Sequence, residues 1–247
     1  MQHNKSYTFL FVSSITIIAS LFLATAYTQL KDKQDYNVEL DRKKNILGCL
    51  GLDADSYSMD DIINAYEERI EGIVSTLDGE KIENVKIEDL ITITDGSNGQ
   101  SNYMFEERQY LPIYHAPDSQ VYIFPISGKG LWSTLYGYFA LENDFNTVKG
   151  ITFYKHKETA GLGGEIEKPW FRNNFEGKHI FSKEGELISI KVTKGKVRDV
   201  LNERDWAHAV DGISGATITS NGVTNLLHRE LIRYHPFIKK NIKNNVK

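Results

Sequence analysis

From Tyr7 to Tyr27 the chain is uncharged and mostly apolar, and charge resumes only at Lys31-Asp32-Lys33. About 20 such residues cross the hydrocarbon core of a bilayer as an α-helix, and tyrosines at both ends suit its two interfaces. One N-terminal transmembrane helix is therefore expected. The same residues also divide into the parts of a secretory signal: Lys5, the apolar core Phe9 to Leu23, and the small-x-small site Ala24-Thr25-Ala26. The length of the run favours a retained anchor. Either reading brings the chain from Tyr27 onward against or across a membrane.

Beyond the span the period changes. Gln34 to Asn45 is polar and reads as a stalk with helical character running into Ile46 to Leu50. Ser58-Met59-Asp60-Asp61 offers a cap with an acidic first turn. Met59, Ile62, Ile63, Tyr66, Ile70 and Ile73 then recur at helical spacing, which predicts an amphipathic helix with one buried stripe. Ile82, Val85, Ile87 and Ile91 to Thr94 read as a strand closed by Asp95-Gly96-Ser97-Asn98-Gly99. A meander follows at Gln120 to Ile126, Ser133 to Leu141 and Thr147 to Tyr154. Its short connections force antiparallel neighbours, because parallel pairing needs a crossover of about a dozen residues. Glu186 to Thr193 alternates as a further strand, and Val223, Leu226, Leu227, Leu231 and Tyr234 form a helical stripe that His235-Pro236 is expected to end. The sum is an α+β fold, an antiparallel sheet packed with helices and preceded by one N-terminal transmembrane helix.

Composition narrows the function classes. A chain of 247 residues buries one substantial core rather than two large ones. A net charge of -4 gives no basic footprint for nucleic acid, and Lys239, Lys240, Lys243 and Lys247 read as a solvated tail. With Cys49 as the single cysteine there is no internal disulfide and no cysteine-based metal or iron–sulfur site, so redox work requires an organic cofactor. Asp53-x-Asp55 lacks the central Gly and terminal Glu of a calcium loop. No zinc-protease, serine-hydrolase, phosphate-loop or dinucleotide-binding motif is present, and no catalytic or metal-ligating residue is assigned.

Two stretches stand apart. Glu158-Thr159-Ala160-Gly161-Leu162-Gly163-Gly164-Glu165-Ile166 has glycines that admit either a tight turn or a ligand close to backbone. Asp211-Gly212-Ile213-Ser214-Gly215-Ala216-Thr217-Ile218-Thr219-Ser220 flanks hydroxyls with small residues, ahead of a helix expected near Val223. A helix N-terminus supplies unpaired N–H groups and a positive dipole end, which favour a phosphate. Thr219, Ser220 and Asn221 equally suit a plain helix cap, and the residues alone leave both readings open.

Ser214-Gly215-Ala216-Thr217, preceded by Asp211-Gly212 and continued to Asn221-Gly222-Val223, resembles the flavinylation motif of the FMN-binding domain family, nearest to the C subunits of sodium-translocating NADH:quinone reductases. The resemblance implies FMN joined through its phosphate to Thr217, with Asp211, Ser214, Gly215 and Ala216 around the attachment point. The glycine stretch is similar to the family's Glu-Thr-Pro-Gly-Leu-Gly-Gly-Glu, with Ala160 in place of Pro, and Gly130-Leu131-Trp132 to its Gly-Leu-Trp. By that likeness Glu158, Thr159, Leu162, Gly163 and Trp132 surround the flavin ring. The homologous G subunit of Rnf-type electron-transport complexes shares Ser-Gly-Ala-Thr. A cofactor-free, exported and anchored binding or assembly module is the reading from another class.

The resemblance further implies an electron-transfer subunit of an ion-translocating NADH:ubiquinone reductase with no complete active site of its own. Its partners would be other membrane and NADH-oxidising subunits, and a flavin transferase would mature it. It would sit in the bacterial inner membrane with its body on the periplasmic side. Lys31, Lys33, Arg42, Lys43 and Lys44 point the other way, since positive charge collects on the cytoplasmic side. The chain then divides into an N-terminal tail (1–6), an anchor (7–27), a stalk with a helical and strand part (28–102), an FMN-binding domain (103–235) and a basic tail (236–247).

Overall fold

The apolar run and the polar stalk form one uninterrupted helix, α1 (Lys5–Gly48), in a computed structural model that describes residues 5–52 and 56–245. Asp53-x-Asp55, the first four residues of the chain and the last two lie outside the described residues. The chain divides into two units, one through Arg42 and one from Lys43.

The first unit is helix throughout its described length. Among the described residues α1 alone is long and apolar enough to cross a membrane, and none of its most apolar stretch is buried. Thr16, Thr25 and Thr28 each donate their hydroxyl to the carbonyl four residues back, at 2.8, 2.8 and 2.9 Å. Pairing within the helix is what a hydroxyl needs where no water reaches it.

In the second unit the end of α1 is core. Ile46, Leu47 and Cys49 are fully buried, and the Thr152 hydroxyl donates to the Asn45 carbonyl at 3.2 Å. The Cys49 thiol points at the Tyr138 carbonyl, 3.4 Å away, and burial pushes its pKa up to about 12. Helix α2 (Met59–Arg69) starts on the expected capping box, Ser58 with Asp61. It stops at Ile70, and Ile73 belongs instead to strand β1 (Glu71–Thr76). There Ile73 and Val74 pair with Ile113 and Pro112, so sheet pairing overrides the helical spacing.

The other strands are β2 (Lys81–Ile82), β3 (Ile91–Thr94), β4 (Ser101–Phe105), β5 (Arg108–Ala116), β6 (Val121–Lys129), β7 (Thr134–Leu141) and β8 (Val148–Lys155). They make one antiparallel sheet in the order β2-β1-β5-β6-β7-β8, with β4 also on β5 and β3 on β4. The meander β6-β7-β8 matches the expected one, whereas β1, β4 and β5 carried no clear period. After a short helix α3 (Pro169–Arg172), the expected strand Glu186 to Thr193 reduces to β9 (Lys191–Val192). Ser189 at φ 73° breaks the extended run ahead of it. Helix α4 (Val197–Val200) and strand β10 (Ala209–Val210) follow, β10 pairing parallel to β9.

The last helix, α5 (Thr217–Asn245), differs from expectation at both ends. It begins at Thr217 rather than near Val223, so Thr219, Ser220 and Asn221 lie inside it and do not cap it. It also runs through Pro236 into the segment read as a basic tail. Phe237 and Ile238 are fully buried there, and the β1–β2 turn at Gly79 packs against Pro236 and Phe237. That burial outweighs the one hydrogen bond that Pro236 removes.

Along its length α5 lies on β6. Its approach needs glycine on both sides. A Cβ on Gly222 would sit 2.5 Å from the Lys129 carbonyl oxygen, and one on Gly128 would sit 2.4 Å from the Leu226 Cβ. Further along, Arg229 and Arg233 donate to the carbonyls of Ser127 and Ser101, at 2.7 and 2.6 Å, and flank buried Glu230. Burial pushes the Glu230 carboxyl up to about 7 despite both cations.

The contact at Gly222 yields a signed pair of outcomes. Alanine gains about 1 kcal/mol of helix propensity over glycine, but overpacking costs about 1–3 kcal/mol. Gly222→Ala should therefore lower the melting temperature by several degrees, read by circular dichroism, while Asn221→Ala on the exposed face should leave it unchanged or raise it. A stabilised Gly222→Ala would show that the helix stands further from β6.

Candidate cofactor site

The site is assembled around one carboxylate. Glu158 follows the end of β8 and is 8% exposed. It accepts the backbone N–H groups of Leu131, Trp132 and Ser133 at 3.2, 2.9 and 3.4 Å, and the Thr219 hydroxyl at 2.5 Å. Burial raises the Glu158 pKa, but the Thr219 hydroxyl and the N–H groups of Trp132, Leu131 and Ser133 outweigh it and hold the carboxyl below its ordinary range. Three segments thus meet on one side chain: the loop after β6, the glycine loop after β8, and the first turn of α5.

Glycines make that meeting possible. A Cβ on Gly163 would lie 2.5 Å from the Thr219 hydroxyl and 2.9 Å from a Glu158 oxygen, and one on Gly130 would lie 2.7 Å from the other Glu158 oxygen. The Thr159 carbonyl accepts the N–H groups of Leu162 and Gly164, at 3.1 and 2.9 Å, closing the glycine loop into a turn. Gly161 sits in this loop at φ 75° and Ala160 is exposed, so the missing Pro leaves the turn intact.

Thr217 is the first residue of α5 and is exposed. Ser220 is the first residue of the segment to donate back along the helix, to Ala216 at 2.9 Å, so the N–H groups of Thr217, Ile218 and Thr219 form the open end of the helix. Gly215 turns the chain into the helix at φ 76°, a region that favours glycine, and the Leu162 side chain packs onto it. Trp132 (67% exposed), Ile218 (58%), Leu131 and Leu162 leave apolar surface open in these same loops and helix turn.

Of the residues singled out in the sequence, Glu158, Gly163 and Trp132 are drawn together through these contacts, Leu162 packs on Gly215, and Thr217 begins the helix that Thr219 ties to Glu158. Ala216 is buried beneath the turn, Ser214 is exposed beside it, and Thr159 contributes its carbonyl to the loop. Asp211 faces away: its carboxylate accepts the Val197 N–H at 2.7 Å and caps α4. Thr219 is the residue whose part the sequence did not reveal. Its small-residue context resembled that of Thr217, yet it is 1% exposed and its hydroxyl is engaged with Glu158. Only a fold that brings positions 158 and 219 together separates the two threonines.

Residues 130–231 match the model of the FMN-binding domain family. The chain is 34% identical to the C subunit of the Na+-translocating NADH-quinone reductase of Vibrio alginolyticus, over 86% of this chain and 84% of that one. Against the C subunit of the Yersinia pestis reductase it is 36% identical, over 94% and 91%. The chain belongs to the family of Na+-translocating NADH-quinone reductase C subunits. Among solved structures, the C subunit of the Parabacteroides distasonis reductase superposes with a TM-score of 0.68 at 34% identity, over 85% of this chain and 96% of that one. The Shewanella oneidensis NqrC, at 24% identity, shares the fold with a TM-score of 0.65. This agrees with the α+β fold, an antiparallel sheet packed with helices, expected from the periods of the sequence.

The Glu158 contacts predict an acid-sensitive tie. A carboxyl held below its ordinary value of 4.5 contributes stability above that value and loses it as the pH falls through its folded pKa. Glu158→Gln cannot accept at both oxygens and should lower stability by about 1–3 kcal/mol at neutral pH. Its melting temperature should also fall less steeply than the parent's below pH 4.5, measured by scanning calorimetry at stepped pH. Parallel profiles for parent and variant would remove Glu158 as the source.

Proposed function

We propose that this chain is the membrane-anchored, electron-transferring C subunit of a Na+-translocating NADH:ubiquinone reductase, carrying FMN esterified through its phosphate to Thr217. The observation that carries this reading is Thr217 itself: an exposed hydroxyl on the first residue of a 29-residue helix, inside Ser214-Gly215-Ala216-Thr217, in a chain of this family. The residues fit the group. The open N–H groups and positive end of α5 suit a phosphate ester, and Gly215 and Ala216 leave the hydroxyl unobstructed.

Bound FMN supplies one- and two-electron transfer. The chain's own residues hold and shield it. Glu158 keeps the Trp132 loop and the glycine loop fixed to the helix that bears Thr217, and Trp132 and Leu162 offer apolar surface for an aromatic ring. Glu158 is occupied by four protein donors, which makes it a positioning residue rather than a flavin ligand. Asp211, as the cap of α4, supports the turn before Ser214 instead of contacting the cofactor.

Around this unit stand the other membrane and NADH-oxidising subunits of the complex, where NADH oxidation and the sodium path belong, since one helix cannot enclose an ion pathway. A flavin transferase installs the FMN. Residues 7–27 anchor the chain in the inner membrane with the body on the periplasmic side, the side on which the exported transferase works; the family resemblance supports this against the charge pattern.

Attachment is read directly on a denaturing gel under ultraviolet light after co-expression with a flavin transferase. The parent and Thr219→Val should fluoresce and Thr217→Ala should be dark. A fluorescent Thr217→Ala band would move the attachment site, and a dark parent would remove covalent FMN. Orientation is read by protease treatment of sealed vesicles: the body should be digested in right-side-out vesicles and protected in inverted ones. The reverse pattern would put the body in the cytoplasm.

A further inference from the structure

A half-open cleft of about 310 Å³ that shares no lining residue with the Glu158 cluster lies between the segment Ile188–Lys191, His208 and the first half of α5. Its α5 wall, Thr224 to His228, starts seven residues beyond Thr217, about 10–16 Å along the axis at 1.5 Å per residue. The one side chain of fixed charge in the lining is a cation, Lys191. Lys191, Asn225, His208 and His228 supply an ammonium, an amide and two imidazoles, and no carboxylate lines the cleft. Exposed Ile188 supplies apolar surface, and buried Ile190 backs the floor.

Two residues show how the wall is built. The His208 Nδ1 lies 2.6 Å from the His179 carbonyl oxygen. A carbonyl oxygen only accepts, so Nδ1 donates, and His208 with its ring fixed in this way acts as wall. Thr224 is already committed, accepting the Val192 N–H and donating to the Ser220 carbonyl, and acts as wall. Ser189 is the strained member. It holds φ at 73°, is 3% exposed, and its hydroxyl has no partner among the described residues. The N–H groups of Ile188 and Ser189 both donate to the Ile180 carbonyl, at 2.8 and 3.0 Å, which fixes the kink. Left-handed backbone at a residue other than glycine and an orphaned buried hydroxyl each disfavour the fold, and strain of this kind collects at binding sites.

We propose that this cleft binds a small organic anion, with Lys191, Asn225 and His228 taking its terminal oxygens and Ile188 its apolar body. The shared chemistry is a carboxylate or a phosphate monoester on an apolar scaffold. The proposal does not rest on flavin attachment, since the cleft uses none of the residues in contact with Thr217 or Glu158.

The test is ligand-observed NMR on the full chain in detergent, with phenyl phosphate, benzoate and neutral benzyl alcohol as probes. At least one anion should bind saturably and benzyl alcohol should not. Preference for phenyl phosphate identifies a tetrahedral headgroup, and preference for benzoate a planar one. Lys191→Gln and His228→Gln, both on exposed positions, should each weaken binding about tenfold or more. Ser189→Gly relieves the backbone while deleting the hydroxyl, so it should raise the melting temperature and weaken binding together. A purely structural kink predicts the first without the second. Equal binding of benzyl alcohol, no saturable binding of either anion, or affinity unchanged in both the Lys191 and His228 variants would overturn the proposal.

Discussion

The cofactor region depends on a buried carboxylate that has found enough donors. Moving Glu158 out of water without partners would raise its pKa and weaken the fold; four hydrogen bonds reverse the sign of that effect. Because the donors come from the loop after β6 and from α5, and Glu158 itself belongs to the glycine loop after β8, satisfying one side chain also fixes three segments far apart in sequence. Thr219 is thereby withdrawn from chemistry while Thr217, two residues earlier and on another side of the helix, stays open to solvent. A single interaction thus selects between two chemically equivalent hydroxyls.

That arrangement holds only because α5 comes close to β6. Gly128 and Gly222 remove the side chains that would keep helix and strand apart, and Arg229 and Arg233 fasten the same helix to the carbonyls of Ser127 and Ser101. Farther on, Phe237 and Ile238 continue the burial past Pro236. The helix bearing Thr217 is therefore gripped along most of its length, so the open N–H groups of its first turn have a fixed direction. Fixed dipoles are worth more to an anionic ester than mobile ones.

The sequence made the meander β6-β7-β8 legible because short connections permit only antiparallel neighbours, and it made α1 legible because no other stretch is so continuously apolar. It did not show where α5 begins. Thr217 to Gly222 carries no apolar stripe beyond Ile218, and the stripe starts only at Val223. Ile70 and Ile73 matched a helical period by coincidence, since a strand entering at Glu71 also buries β-branched residues. At the site, the motif pointed to Thr217, but the partners of Glu158 and the turning away of Asp211 toward Val197 are long-range facts that spacing along the chain does not encode.

Cys49 carries a practical consequence. With the chain's sole sulfhydryl sealed in the core and its pKa near 12, native protein presents almost no reactive thiolate. A cysteine introduced on any exposed position, near Trp132 or on the stalk, would take a maleimide spin label or fluorophore alone, with no need to remove the natural one. Such a reporter would then read its own surroundings in the otherwise unaltered chain.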